Sequence, residues 1–224
     1  MSLLFLQVDS LATAPKEVSV SLFDLVILGG WFMIPIAMLL AWGIYVFIER
    51  YLTIRKVNQS PDAFMKQITS FVRGGSLDKA INLCEITDTP FARMVLKGIS
   101  RLGQPLSEIS ASIETEAKLE VYRMEKHLSI LATVSGAAPM LGFLGTVTGM
   151  ISAFMQIATL EGNVSPSDLA GGIYEAMLTT AAGLIVGIPA YIGFNFLTTM
   201  IGEVIFKMEV TATQFIDLLQ EPAK

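Results

Sequence analysis

Cysteine and histidine are almost absent from the sequence: Cys84 and His127 are the only ones in 224 residues. One cysteine cannot form a disulfide within the chain, and one copy of the chain cannot assemble a zinc site or a catalytic triad. The sequence also has no nucleophile paired with a base and no phosphate-binding loop, so an enzyme is the least favoured function. We predict no catalytic residue, no metal and no cofactor, and we expect Cys84 to fill a helical core.

Charged residues are also scarce. They make up 16% of the chain, whereas hydrophobic residues make up 53%, and a soluble domain usually has about a quarter charged residues. The mean hydropathy is +0.61. This composition predicts a membrane protein with the lipid bilayer as its surroundings, and the net charge of −5 argues against a nucleic acid as partner.

Three long segments carry the hydrophobicity. Residues 25–48 and 128–160 contain no charged side chain, and residues 169–202 contain only Glu175. Each segment exceeds the roughly 20 residues that a helix needs to cross the hydrocarbon core of a bilayer. We therefore predict an all-α membrane protein with three transmembrane helices. These helices are expected at residues 22–48, 128–160 and 169–200.

The basic residues predict the orientation of the chain. Of 15 lysines and arginines, 12 lie between Glu49 and His127. Because cytoplasmic loops are enriched in basic residues, we expect the segment 49–127 to be cytoplasmic, with the N-terminus outside. The loop at 161–168, which has no basic residue, is then outside, and a C-terminal helix at 201–224 is inside. Residues 1–21 are interpreted as an amphipathic segment on the external face of the membrane that the chain spans, with a disordered tail as the alternative.

The cytoplasmic segment is expected to be helical. Thr89 before Pro90 is a capping hydroxyl followed by a residue that suits the first position of a helix. From Pro105 to Leu160 no strong helix breaker occurs outside the membrane, so we expect one helix of more than roughly 50 residues, about 80 Å long, that includes the second span. The third span is expected to continue in the same way through Phe215. Two of the transmembrane helices are thus predicted to be long and to extend into the cytoplasmic domain.

Glu175 is the one acidic residue inside a predicted span. An ionised carboxylate in that position costs about 2.5 to 3.5 kcal/mol, so it should face a bundle interior or a water-filled cavity. A carboxyl group there could carry a proton through the membrane. The alternative is a carboxylate close enough to the membrane surface to remain hydrated.

Small and hydroxyl residues repeat along the second and third spans. The small residues allow close helix packing, and together with the hydroxyls they suggest either a helix interface or the lining of a pore. Pro189 is expected to bend the third span. The packing residues are Gly142, Gly145, Gly149, Gly183, Gly187 and Pro189. The hydroxyls nearest Glu175 are Thr146, Thr179 and Thr180, although an isolated threonine often bonds only to its own helix.

Two motifs in these spans resemble those of a known family. The stretch APMLGFLGTVTGM at 138–150 is similar to the second-span motif of the MotA/TolQ/ExbB proton-channel family. The stretch IYEAMLTTAAGL at 173–184, with Asn195 further on, is similar to its third-span motif. Glu49, Arg50 and Arg55 match the cytoplasmic basic motif that follows the first span in that family. Two ordered motifs at the right separation are far more specific than a single GxxxG pair.

The resemblance implies an assembly and a function. Three spans are similar to the ExbB and TolQ branches, whereas MotA has four. The implied assembly is a homopentameric ring in the bacterial inner membrane, around two copies of an ExbD-like or TolR-like single-span partner, acting on a TonB-like or TolA-like energy transducer. The positions that match pore-lining residues are Thr146, Thr180 and Glu175, and Thr179 adds a hydroxyl that leaves the choice between proton and sodium open.

The leading hypothesis is therefore a proton-channel stator subunit that uses proton motive force to energise an outer-membrane process. An ExbB-like role in TonB-dependent transport is favoured over a TolQ-like role in envelope integrity. The alternative from another class is a non-conducting membrane scaffold, in which the glycines only assemble a larger complex.

Overall fold

The computed structural model describes residues 29–57, 61–159 and 166–220. Within these ranges the elements of secondary structure are all α-helices, as predicted. The helices are α1 (Met33–Val57), α2 (Asp62–Arg73), α3 (Leu77–Thr87), α4 (Pro90–Ile99), α5 (Leu106–Glu125), α6 (Leu128–Thr159) and α7 (Pro166–Gln220). The predicted N-terminal segment at 1–21 and most of the predicted loop at 161–168 lie outside the described residues.

Three helical stretches are long and apolar enough to cross a membrane, in agreement with the three predicted spans. They are Met33–Val57, Leu106–Thr159 and Ala170–Gln220. Helices α6 and α7 pack along each other more extensively than any other pair in the described chain, and α1 packs against both. The membrane part is therefore a three-helix unit whose central contact is the α6–α7 interface.

Helix α1 begins at Met33, within the predicted span 22–48, of which residues 22–28 lie outside the described residues. Gly30 has a positive φ of 66°, and the backbone turns before Met33, whose N–H donates to the carbonyl oxygen of Gly30 at 3.2 Å. A positive φ is favourable for glycine but not for residues with a Cβ, and it is incompatible with a right-handed helix. The described part of the predicted span before Met33 is therefore a turn that leads into α1.

The expectation of one helix from Pro105 to Leu160 is wrong. Helix α5 ends at Glu125 and α6 begins at Leu128, because His127 has a φ of 70°. The last carbonyl groups of a helix have no partner within the helix, and here Arg50 Nη1 donates to the carbonyl oxygen of Arg123 at 3.2 Å. A tertiary contact from the end of α1 thus stabilises a break that the local sequence does not reveal.

The third span continues as one helix of 55 residues, with Pro189 inside it. Beyond the apolar span, Met208 and Phe215 are buried in the core of the helical domain. Helix α4 approaches this end of α7 closely, because a Cβ added at Gly98 would lie 2.6 Å from the ring of Phe215. The long helix therefore joins the membrane unit to the helical domain.

The helical domain between the first two spans packs around this long helix. Its buried core includes Ile68, Met94 and Val95. Thr89 caps α4 by accepting a hydrogen bond from the N–H of Ala92 at 3.3 Å, with Pro90 at the first position, as predicted. The core side chains come from α2, α4 and α7, which accounts for the apolar faces that these helices carry.

A buried carboxylate ties α4 to α5. Glu120 is only 1% exposed and forms an ion pair with Arg93 at 2.7 Å and a second, shorter contact with Arg123. Arg93 also pairs with Asp88 at 2.5 Å, and the hydrogen bond to Glu120 is the main reason that the pKa of Arg93 is raised. A buried charge needs such partners, so this network fixes how the two helices pack.

Candidate functional site

The second and third spans touch backbone to backbone. A Cβ added at Gly142 would lie 2.7 Å from the carbonyl oxygen of Thr179, and one added at Gly183 would lie 2.5 Å from the carbonyl oxygen of Ala138. Such distances are too short for a real Cβ, so both positions require glycine at this helix separation. Close approach of this kind is what small residues provide in membrane helices.

The remaining glycines of the packing group extend this contact along α6 and α7. A Cβ added at Gly145 would lie 2.7 Å from the Cβ of Thr179, and one added at Gly149 would lie 3.0 Å from the Cβ of Ala176. A Cβ added at Gly187 would lie 2.5 Å from the ring of Pro139. The structure thus brings five of the six predicted packing residues to the interface between the two helices. Pro189 is the exception, because it is exposed and lines a groove between α1 and α7.

Three threonine hydroxyls meet where Gly142 passes α7. Thr146 Oγ1 and Thr179 Oγ1 donate to the carbonyl oxygen of Ala176 at 2.9 and 2.8 Å. Thr180 Oγ1 lies 3.2 Å from the carbonyl oxygen of Gly142 and is hydrogen-bonded to Thr146 Oγ1. Because a hydroxyl has a single proton to donate, a donation from Thr146 to Ala176 leaves Thr146 as the acceptor of the Thr180 proton. The three groups form a short hydrogen-bonded chain between the helices.

The three hydroxyls differ in exposure. Thr179 is 1% exposed and lies inside the α6–α7 interface, against Gly145. Thr146 and Thr180 are half-buried, so they lie at the edge of that interface. Of the predicted hydroxyls, Thr146 and Thr180 are therefore the two that a proton, a water molecule or a partner helix could reach.

Glu175 lies on α7 one turn before Thr179 and is exposed, whereas Thr179 is buried. Its carboxylate contacts the turn that precedes α1, because Glu175 Oε1 occupies the space where a Cβ at Gly30 would lie. The structure therefore places Glu175 beside the start of the first span. It also places the Thr146–Thr180 pair about one and a half turns away along α7.

Gly30 is a candidate functional residue that the sequence analysis missed. Its lack of a side chain admits the Glu175 carboxylate, and its positive φ forms the turn before α1. The pair Gly29-Gly30 at the start of a span was the available signal. The carbonyl of Ala176 was also missed, and no sequence signal identifies it, since every residue has a carbonyl.

The basic motif lies at the opposite end of α1. Arg50 is 7% exposed and its Nε pairs with Glu49 at 2.6 Å. Its Nη2 lies 3.3 Å from His127 Nδ1, which must accept because a guanidinium only donates. Arg55 does not join this group, since its guanidinium lies 5.9 Å from the ring centroid of Tyr51 and the residue is exposed. Glu49 and Arg50 thus hold α1 against the break between α5 and α6.

Other polar groups offer little further chemistry. Burial raises the pKa of the Cys84 thiol from 9.0 to about 12, with the Glu85 charge contributing in the same direction. Cys84 is 1% exposed in the helical core, which confirms it as a core residue. No cluster of three or more histidine, cysteine or acidic side chains with metal-binding geometry occurs among the described residues.

The arrangement can pass a proton only part of the way across a membrane. Across the apolar stretches of α1, α6 and α7 in the described ranges, Glu175 is the one acidic or basic side chain. The threonine hydroxyls can relay a proton along hydrogen bonds but cannot hold it at physiological pH. A second group from another chain is needed to complete such a path.

Comparison with known proteins adds an independent line of information. The model of the MotA/TolQ/ExbB proton channel family matches residues 86–210, which is more than half of the chain. A biopolymer transport protein ExbB of Xanthomonas campestris is 34% identical over 119 residues, which cover 52% of this chain and 47% of that protein. The ExbB of Neisseria meningitidis serogroup B is 28% identical over 190 residues, covering 78% of this chain and 83% of that protein.

A third relative is the biopolymer transport protein exbB1 of Vibrio cholerae. It is 37% identical over 90 residues, which cover 40% of each chain. The match to the Xanthomonas and Vibrio proteins therefore spans half or less of their length.

Proposed function

The chain belongs to the MotA/TolQ/ExbB proton channel family, and on that premise we propose that this multi-pass membrane protein is a proton-channel stator subunit for biopolymer transport. The observation that carries the proposal is the placement of Glu175, which is exposed on α7 beside Gly30. It lies about one and a half turns from the half-buried pair of Thr146 and Thr180 at the edge of the α6–α7 interface. These side chains are accessible to solvent or to a partner helix, and they are hydroxyls and a carboxylate, which can relay protons.

The proposed assembly follows from the incomplete proton path. A single carboxylate per chain needs a second titrating group, so we propose a homopentameric ring around two copies of an ExbD-like or TolR-like single-span protein that supplies it. Each proton that crosses the membrane releases about 2.3 kcal/mol per 100 mV. Several protons passing the ring could thereby drive rotation or rearrangement of the bound partner.

We propose the bacterial inner membrane as the location, with the N-terminus periplasmic and the C-terminus cytoplasmic. The concentration of basic residues between Glu49 and His127 supports this orientation. In it, the domain of α2 to α5 and the end of α7 lie in the cytoplasm. The predicted segments at 1–21, 22–48, 49–127, 128–160, 161–168, 169–200 and 201–224 remain our proposed organisation of the chain.

The proposed role is ExbB-like, energising TonB-dependent transport through a TonB-like transducer. The names of the relatives, which are biopolymer transport proteins ExbB, support it over a TolQ-like role with a TolA-like transducer. Proton selectivity is part of the proposal, although the additional hydroxyl of Thr179 would also suit sodium. Because Thr179 lies inside the helix interface, we assign it to positioning Thr146 and Ala176 rather than to contact with the ion.

A non-conducting scaffold is the second candidate. The observation in its favour is that each threonine hydroxyl at the interface already bonds to protein oxygen atoms, and that the glycines permit close packing. In a scaffold Glu175 would have no role in transport, so Glu175→Gln would be tolerated.

The native mass of the complex, extracted in mild detergent with its co-purifying chains identified, tests the proposed assembly. Five copies with two copies of a small single-span protein carrying an acidic residue in its span would support the stator. A monomer or dimer without such a companion would favour the scaffold.

A further inference from the structure

An apolar groove runs between α1 and α7 in the membrane unit. It has a volume of about 580 Å³, and its lining consists of apolar residues and glycines. Gly43 and Gly193 belong to the lining and allow close contact with its other residues. A Cβ added at Gly193 would lie 2.9 Å from the ring of Phe47, and one added at Gly43 would lie 3.4 Å from Val134. The lined part of α1, from Leu39 to Ile48, corresponds to a length of about 14 Å.

The groove is open to its surroundings. Ile44, Ile48 and Ile192, which line it, are each more than half exposed. Since these residues lie in helices that are long and apolar enough to span a membrane, the groove lies at the depth of the hydrocarbon core. A recess left empty would lose dispersion contacts on both walls.

Aromatic rings and a cation close one end of the groove. Tyr51 stacks on Phe47 at a centroid distance of 6.1 Å and lies 6.3 Å from Phe196. The guanidinium of Arg55 lies over the Tyr51 ring, one turn further along α1. Arg55 is exposed, and the described residues provide it with no carboxylate partner, in contrast to Arg50 beside Glu49.

We propose that this groove binds an anionic phospholipid, with one acyl chain between α1 and α7 and the headgroup phosphate on Arg55. The acyl chain matches the apolar lining, and the phosphate matches the guanidinium, which binds such oxygens through two N–H groups. Basic sites at the ends of transmembrane helices commonly hold anionic headgroups.

A second copy of the chain is the alternative occupant of the groove, since Glu49 and Glu203 lie at the same end of the spans as Arg55. The groove-filling variants below distinguish the two occupants. The lipid site depends on the membrane position of the chain and not on ion conduction, so it stands apart from the proposed function.

The test measures which lipids stay bound to the full-length complex. The complex is reconstituted in vesicles of equal parts phosphatidylcholine and phosphatidylglycerol and re-extracted in mild detergent. Mass spectrometry then gives the ratio of the two retained lipids. For the unaltered protein we expect phosphatidylglycerol to be enriched about fivefold over phosphatidylcholine, as one cation at the membrane surface provides.

The variants separate the headgroup contact from the groove. Arg55→Gln should remove the enrichment, and Arg55→Lys should restore most of it, while Lys56→Gln, which changes the neighbouring exposed cation, should leave it unchanged. Ala190→Phe fills the groove and should release both lipids, whereas Ala41→Phe places the same ring on an exposed part of α1 outside the groove and should retain them. Leu39→Trp fills the groove from α1 and replaces Ala190→Phe if that variant loses helix content.

Three results would overturn the proposal. Equal losses in Arg55→Gln and Lys56→Gln would mean a diffuse effect of surface charge. Retention of both lipids in the two groove-filling variants would mean that the groove holds none. A change in the mass of the protein assembly in those variants, with unchanged lipid, would mean that another copy of the chain occupies the groove.

Discussion

Replacing Gly183 with alanine should separate the second and third spans. The added Cβ would lie 2.5 Å from the carbonyl oxygen of Ala138 and 3.1 Å from the Cα of Gly142. Both are backbone atoms, which cannot rotate away as a side chain can. Ordinary contact begins at 3.4 Å, so α6 and α7 would have to part locally by roughly 1 Å.

The loss of stability in Gly183→Ala has two contributions, the overpacking at Gly183 and the weakening of the threonine hydrogen bonds nearby. Overpacking of a close-packed contact costs about 1 to 3 kcal/mol. Separation would also lengthen the bonds from Thr146 and Thr180 across the interface, and such bonds in membranes contribute about 0.6 kcal/mol each. We expect Gly183→Ala to lower the free energy of unfolding by about 2 to 4 kcal/mol.

Gly202→Ala is the matched control, because it lies on the same helix and a Cβ there would meet nothing within 4 Å. It should be neutral or raise stability by up to about 1 kcal/mol, since alanine favours helix over glycine. The assay is chemical unfolding of the purified complex in lipid nanodiscs, followed by circular dichroism. Equal midpoints for Gly183→Ala and Gly202→Ala would refute the close packing described above.

Three further predictions concern the groups outside the α6–α7 interface. Arg50→Ala removes the donor to the carbonyl of Arg123 and should lower the free energy of unfolding by about 2 kcal/mol in the same assay. Lys56 is exposed, so the control Lys56→Ala should change it by less than about 0.5 kcal/mol. Glu120→Ala leaves the Arg93 cation without its buried partner and should lower the free energy of unfolding by about 2 kcal/mol. The loss is smaller than for a fully buried pair because the Arg93 side chain is 30% exposed. An unchanged unfolding midpoint would contradict the proposed role of this ion-pair network. Folding raises the pKa of the Cys84 thiol from 9.0 to about 12, so the thiol of the unfolded chain ionises first. The free energy of unfolding should therefore fall as the pH rises between these values. A Cys84→Ala chain whose free energy of unfolding falls equally steeply with pH would contradict this.

The sequence predicted the features that depend on local patterns. The three apolar spans, the cap at Thr89 and the long third helix follow from hydrophobic length and from the chemistry of helix ends. The helix break at His127 could not be predicted in this way. It depends on Arg50, which is remote in sequence and bonds to the carbonyl of Arg123.

The candidate site was predicted in composition but not in arrangement. Glu175 and Thr179 are four residues apart, a spacing that puts two side chains near the same helical face, yet Thr179 is buried and Glu175 is exposed. Four residues advance a helix by more than one turn, and the edge of the interface falls between the two side chains. The contact between Glu175 and Gly30 could not be predicted from the sequence pattern, because the two residues are 145 positions apart and meet only when the first and third spans pack together.

Proton flux through the reconstituted complex tests the central claim most directly. The chain and its single-span partner are placed in vesicles that contain a pH-sensitive dye, a potassium diffusion potential is imposed, and the rate of internal acidification is measured. Glu175→Gln should reduce the rate at least tenfold, as expected for loss of a required proton-transfer group, while Glu85→Gln, which neutralises an exposed carboxylate of α3, should leave it unchanged. An unaltered rate in Glu175→Gln, in a complex of normal mass, would contradict the proposed proton path.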